Sequence, residues 1–406
     1  MMSRLECFLK QKGAEYAPFN PKRAPRLLEK LHLSFNKNQV IIQIIGTNGK
    51  GSTGRFLALM LKALGVRVGH FTSPHLLSLC ERFWINGESV RESALESAFS
   101  SLDLQVLKEA SYFEVLTFLA FKIFKDCKIV ILEAGLGGEY DSTTTCSTPK
   151  LTLFTSIGMD HEDYLGTSIK EIAITKLNAM VKLSVLGFQR EKEVVSIAGQ
   201  IAKERDVELE RLKEIPQSIL EYVKAHHYPS YQAQNLTLAW QGLVMAIKRI
   251  PSLKKLESKI DFNSNFALKS LLQTLPPLDL QGRFQSLTPK IFLDVLHNTD
   301  GAKALLEHYA NFNRNATILI YNSYSDKNPK AILSLLKPII QRVEIFQVEN
   351  LRVIDKSALE KILQELEIPY CDFVALKKES QYLVCGSFSV VAKFLRDFKA
   401  KKIEEK

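Results

Sequence analysis

From residue 39 to about residue 285 the chain alternates short apolar, strand-like runs with amphipathic stretches. VIIQII (40–45), RVGHFTS (67–73), KIVILEAG (128–135) and KLTLFTSIG (150–158) are the clearest runs. A strand apolar at nearly every position is covered on both faces, the condition of a parallel sheet wrapped by helices. Each run ends in a polar cluster: GTNGKGST, TSPH, EAGLGGEYD and GMDHED. Ligands of open α/β sheets bind at the carboxyl ends of the strands, so these clusters are expected to face one crevice. LQTLPPLDLQGRF (272–284) has two prolines and few apolar anchors, and reads as an interdomain linker. Beyond it the pattern restarts, with KIFLDVL, ATILIYN, VEIFQV, DFVAL and YLVCGS as strands and helical segments such as ALEKILQELE between them. The predicted architecture is α/β: a parallel-sheet domain over 1–285 and a smaller α/β domain over 286–406.

Length supports two domains, because 406 residues exceed one ordinary core. The 46% hydrophobic and 24% charged content is that of an ordinary soluble globular chain. No apolar run near either end approaches the roughly 20 residues of a membrane helix. The N-terminus MMSRLECFLKQKGAEY carries charges inside every short apolar stretch, which argues against a signal peptide and for the cytoplasm. Six cysteines without Cys-x-x-Cys spacing argue against a zinc site or a disulfide framework. The net charge of +10 is spread along the chain and has no interleaved aromatics, so a solvated basic surface is expected and no nucleic-acid partner.

The candidate chemistry begins at IIGTNGKGST, where an apolar strand breaks at Gly46 and runs into Gly49-Lys50-Gly51-Ser52. The glycine spacing misses the generic Gly-x-x-x-x-Gly-Lys-Ser/Thr pattern, since neither Gln43 nor Ile44 is glycine. The physics of a phosphate loop is nonetheless complete: glycines that free backbone N–H groups, a helix N-terminus, a lysine, and a hydroxyl suited to magnesium.

GTNGKGST resembles the nucleotide loop of the folylpolyglutamate synthase and dihydrofolate synthase branch of the Mur ligase superfamily. Further segments match that branch in order: FTSPHLLSLCERFWING, FEVLTFLAF, ILEAGLGGEYDST, MDHEDYLG, YQAQN, QGRFQ and FLDVLHN. The resemblance spans about residues 41–300. It implies the Mur ligase architecture, a P-loop-type ATPase domain followed by a Rossmann-like C-terminal domain. It also implies an ATP-dependent amide ligase that adds L-glutamate to dihydropteroate and to the glutamate tail of reduced folates through an acyl phosphate. Lys50 would meet the β- and γ-phosphates of ATP, cradled by Asn48, Gly49, Gly51 and Ser52. Ser73 and Glu133 would bind one Mg2+, and His161 a second beside Lys176, which the family carries as a carbamate. Lys50, His161 and Lys176 form the expected catalytic set. Asn235 would touch the adenine, and Arg283, Asp294 and His297 the rest of the nucleotide, with domain closure about the linker. Phe113, Glu114 and Asp141 map onto the family's pterin surface.

The chain departs from the family at several points. Glu139-Tyr140 stands where Arg-Leu is usual, and Thr-Lys-Leu-Asn-Ala (175–179) where Glu-Lys-Ala-Gly-Ile is usual. Tyr231 replaces a histidine, and Thr299 replaces the proline of His-Asn-Pro. These changes bear on substrate choice and on the carbamate. The alternatives are a Mur-type ligase of a UDP-linked peptidoglycan precursor and a nucleic-acid-dependent P-loop ATPase. The first lacks a recognisable N-terminal UDP-binding domain, and the second rests only on basic charge. A monomer is expected.

Overall fold

The computed structural model describes residues 3–13, 20–160, 162–260, 266–309 and 317–404. It divides into two compact units, Met1–Tyr222 with Gln232–Leu278, and Val223–Tyr231 with Asp279–Lys406.

The first unit holds eight strands: β1 (Val40–Ile45), β2 (Val68–Phe71), β3 (Phe83–Ile85), β4 (Glu88–Ser89), β5 (Ile129–Glu133), β6 (Leu151–Phe154), β7 (Leu183–Leu186) and β8 (Glu208–Arg211). They lie in the order β4-β3-β2-β5-β1-β6-β7-β8. From β2 to β8 every pairing is parallel, as the continuous apolar runs require, and all six residues of β1 are buried. Ile41 and Val130 share one face with the helix Tyr112–Ile123, and Ile45 and Phe154 with the helix Ile169–Leu177. Leu153 points the other way, onto Gly242 of the helix Ser230–Arg249. The antiparallel hairpin of β3 and β4 is an addition to the expected parallel sheet. Its cause is the Asn86-Gly87 dipeptide, a two-residue hairpin turn.

The second unit holds β9 (Arg283–Thr288), β10 (Ile291–Asp294), β11 (Thr317–Tyr321), β12 (Ile340–Ile345), β13 (Tyr370–Asp372) and β14 (Gln381–Cys385), ordered β13-β12-β11-β14-β10-β9. Only β9 runs antiparallel. Arg283 and Phe284, read as the end of a linker, open β9. The strand expected at DFVAL is a correction: β13 ends at Asp372, and Val374 is 75% exposed. An edge strand with one neighbour needs few residues, and β13 pairs with β12 over only three. No described helix is long and apolar enough to cross a membrane.

Candidate active site

β2, β5, β1 and β6 are neighbours and parallel, so the loops that follow them open side by side at one sheet edge. These are the four polar clusters singled out in the sequence. The loop after β1 turns into the helix Lys50–Ala63 at Gly49, whose φ of +87° is left-handed. A Cβ at Gly49 would also sit 2.2 Å from Asn235 Oδ1, so glycine is required twice over. Asn235 Nδ2 donates to Gln232 Oε1 (2.9 Å), and Gln232 Nε2 donates to Ser52 Oγ (3.3 Å). The first turns of Ser230–Arg249 thereby pack on the phosphate loop. On the other side, Thr47 N–H donates to Ser156 O (2.7 Å), and Asn48 bridges to Ser156 in the loop after β6. Gly51 and Ser52 are buried in the first turn of the helix.

Two lysines converge on this loop. Lys50 Nζ donates to Gly46 O and Thr47 O, each at 3.2 Å, and Lys176 Nζ donates to the same Gly46 O at 3.1 Å. Lys176, in the last turn of the helix Ile169–Leu177, is 4% exposed. Burial, and next the charge of Lys50, bring its pKa down to about 7 against the opposing pull of Asp160 and Asp141. An uncharged, nucleophilic amine is therefore accessible near neutral pH.

At the end of β5, the buried Glu133 accepts through Oε2 from the Thr72 hydroxyl and from Ser73 N–H (3.1 Å). That arrangement brings Ser73 and Glu133 together. The hydroxyl of Ser73 and the carboxylate of Glu133 are hard oxygen donors, and side by side they fit a magnesium ion. His161 lies outside the described residues. Among those described, no group of three or more His, Cys, Asp or Glu forms a metal cluster.

The three residues mapped to the pterin have protein partners of their own. Phe113 is buried 5.7 Å from the Phe71 ring. Glu114 caps its own helix through Ser111 and pairs with Arg23 at 2.7 Å. Asp141 is buried and accepts from Gly135 N–H, Leu136 N–H and Thr143 N–H, each at 2.9 Å, closing the loop after β5. Burial still holds its carboxyl above the ordinary value.

Inside the second unit Arg283, Asp294 and His297 do come together. Asp294 sits opposite Arg283 in the β9–β10 register. Tyr231 Oη donates to Asp294 Oδ2 at 2.9 Å, so the residue that replaces histidine orients this carboxylate. The Phe388 ring packs against both the Arg283 guanidinium (5.2 Å) and the His297 ring (5.8 Å). Sequence reasoning passed over Gln232, Thr72, Asp160 and Phe388. Gln232 and Asp160 sit inside quoted motifs, YQAQN and GMDHED, whereas nothing in the sequence marks Phe388.

A phosphate loop at the carboxyl edge of a parallel sheet, with oxygen donors and a neutralisable lysine beside it, is the arrangement of an enzyme that binds a nucleotide by its phosphates. The comparisons with known proteins make this specific. The dihydrofolate synthase/folylpolyglutamate synthase of Buchnera aphidicola from Acyrthosiphon pisum is 31% identical over 399 residues, covering 91% of this chain and 92% of the relative. The crystal structure of Helicobacter pylori folylpolyglutamate synthetase superposes with a TM-score of 0.74 at 38% identity, covering 98% of both chains. A bifunctional folylpolyglutamate synthase/dihydrofolate synthase solved with Mn, AMPPNP and L-glutamate has the same fold, with a TM-score of 0.77 at 24% identity over 98% of both chains. No family model matches. The chain belongs to the dihydrofolate synthase/folylpolyglutamate synthase family.

Proposed function

We propose that this protein joins L-glutamate to dihydropteroate and to reduced folates at the expense of ATP. The observation that carries the reading is the convergence of Lys50 and Lys176 on Gly46 O at the mouth of the phosphate loop. A carboxylate is a poor acyl donor, and phosphorylating it requires two anions to approach each other. Catalysis is then mostly positioning and electrostatic stabilisation. Lys50, with the N–H groups of Asn48, Gly49 and Gly51 and the Ser52 hydroxyl, holds the β- and γ-phosphates as phosphoryl moves to the substrate carboxylate. The amine of glutamate then attacks the acyl phosphate, and phosphate leaves. A divalent cation such as magnesium would supply Lewis-acid neutralisation of the phosphates; a related structure was solved with Mn. Ser73 and Glu133 would hold one ion, and His161 with Lys176 a second.

Lys176 is assigned as a carbamate, because a buried amine with a pKa of about 7 reacts readily with carbon dioxide. The carbamate turns a cation beside Lys50 into an oxygen donor. Asn235, Arg283, Asp294 and His297 are assigned to the nucleotide, and Phe113, Glu114 and Asp141 to the pterin surface, on the motifs they match. Given the partners found for the last three, their contribution to that surface is its shape more than free hydrogen-bonding groups. Two domains, a monomeric state, a cytoplasmic location and no nucleic-acid partner complete the reading. The family relationship favours this over a peptidoglycan ligase.

The test is ADP release with dihydropteroate or tetrahydrofolate, with and without glutamate. Glutamate-dependent release with both pterins is expected. Release stimulated by DNA or RNA and indifferent to pterin would refute the reading.

A further inference from the structure

We propose that Glu139 and Asn178 form a latch that positions Lys176, making Glu139 a positioning residue for the ligation and not a charge offered to the substrate. The two residues are among the departures from the family pattern noted above, 39 positions apart, and they meet: Asn178 Nδ2 donates to Glu139 Oε2 at 2.8 Å. Glu139 N–H also donates to Thr175 O at 3.0 Å. One residue earlier the packing is tighter still. A Cβ at Gly138 would lie 2.6 Å from Lys176 O and 2.8 Å from Lys176 Cα, so only glycine lets the loop after β5 lie this close. Residues 138 and 139 thus grip the backbone at 175 and 176 and the side chain at 178.

Asn178 follows the last residue of the helix Ile169–Leu177 and is fixed from its other side. Arg205 Nη1 donates to Asn178 O (2.7 Å), and Arg205 Nη2 donates to Asn178 Oδ1 (2.9 Å). The amide therefore has one satisfying orientation, oxygen to the guanidinium and nitrogen to the carboxylate. Lys176 extends its side chain away from this grip to Gly46 O. A buried lysine that must place one nitrogen at the phosphate loop depends on its Cα being held still, since a misplacement of about 1 Å can cost about a hundredfold in rate.

This inference rests on Lys176 having the role assigned above, so the experiment separates the two. Full-length wild type, Lys176→Ala, E139A, E139Q, N178D and E139Q/N178D are compared by ADP release at saturating bicarbonate, with melting temperatures followed in parallel. E139A and N178D are expected to lose about tenfold or more in kcat with KM for dihydropteroate nearly unchanged. E139Q, which can still accept from the Asn178 amide, is expected to stay close to wild type. In E139Q/N178D the new amide can donate to the new carboxylate, so kcat should recover relative to N178D. The recovery remains decisive even where E139A does not fold. Loss in E139A expressed as KM for the pterin, or no recovery in the double variant, overturns the latch. A fully active Lys176→Ala would overturn the role of Lys176 itself, independently of how the other variants behave.

Discussion

Replacing Lys176 by methionine should make the protein more stable while abolishing its activity. In the unfolded chain this amine titrates near 10.5, and in the folded chain near about 7, chiefly because it is buried. Between those values the unfolded chain holds the proton and the folded chain has released it. Stability therefore rises with pH across that window and is lowest below about 7. At about 1.36 kcal/mol per unit, the penalty at pH 7 is roughly 4 kcal/mol. Methionine keeps the volume and removes the ionisable group, but forfeits the hydrogen bond to Gly46 O, about 1 kcal/mol. The net expectation is a gain of roughly 3 kcal/mol at pH 7 that disappears by about pH 10.5. Both tryptophans, Trp84 and Trp240, lie in the first unit, so urea unfolding followed by tryptophan fluorescence in CO2-free buffer reads the relevant transition. Added bicarbonate should stabilise wild type and leave Lys176→Met unaffected. In Lys176→Ala, a small carboxylate such as acetate should restore part of the ligase activity. A variant that is less stable at pH 6.5, or a difference that does not change with pH, would refute the reasoning.

Two further variants probe the loop. Lys50→Ala should reduce ADP release by at least about a hundredfold. Its melting temperature should stay within about 2 °C of wild type, because among the described residues the hydrogen bonds of Lys50 are two, both to its own loop. Gly49→Ala should cost about 1–2 kcal/mol in stability for its left-handed φ of +87°. It should also raise KM for ATP, since the new Cβ displaces Asn235; urea unfolding and ATP titrations check the two effects.

The core of the fold was legible because parallel strands leave a clear mark: VIIQII is apolar at all but Gln43, IVIL (129–132) is apolar throughout, and both are fully buried. What escaped was decided by pairing. β13 stops at Asp372 because its single neighbour offers three partners, and DFVAL gives no sign of that. The hairpin at Asn86-Gly87 did carry a turn signal, read only as part of a motif. At the site, the placement of Gly49 and Lys50 at a strand end could be read from the glycines, and Ser73 and Glu133 stand at strand ends that the sequence marked by their polar clusters. The burial of Lys176 could not be read this way, because IKEIAITKLNAM has polar residues on every side and only the packed sheet decides which of them is enclosed. The partners of Asp141 and Glu114 were equally invisible, since each carboxylate closes a local cap that a motif match reads as a free group.

The central claim is that this loop transfers phosphoryl to a carboxylate before glutamate enters, and positional isotope exchange tests it most directly. ATP labelled with 18O in the β,γ-bridge is incubated with enzyme, magnesium and dihydropteroate without glutamate. Reversible formation of the acyl phosphate lets the β-phosphate of ADP rotate, so label should scramble from the bridge to non-bridging positions, only when dihydropteroate is present, and not in Lys50→Ala. Steady glutamate-dependent ligation with no scrambling, together with rapid release and rebinding of ADP, would contradict the acyl-phosphate step and the role given to the loop.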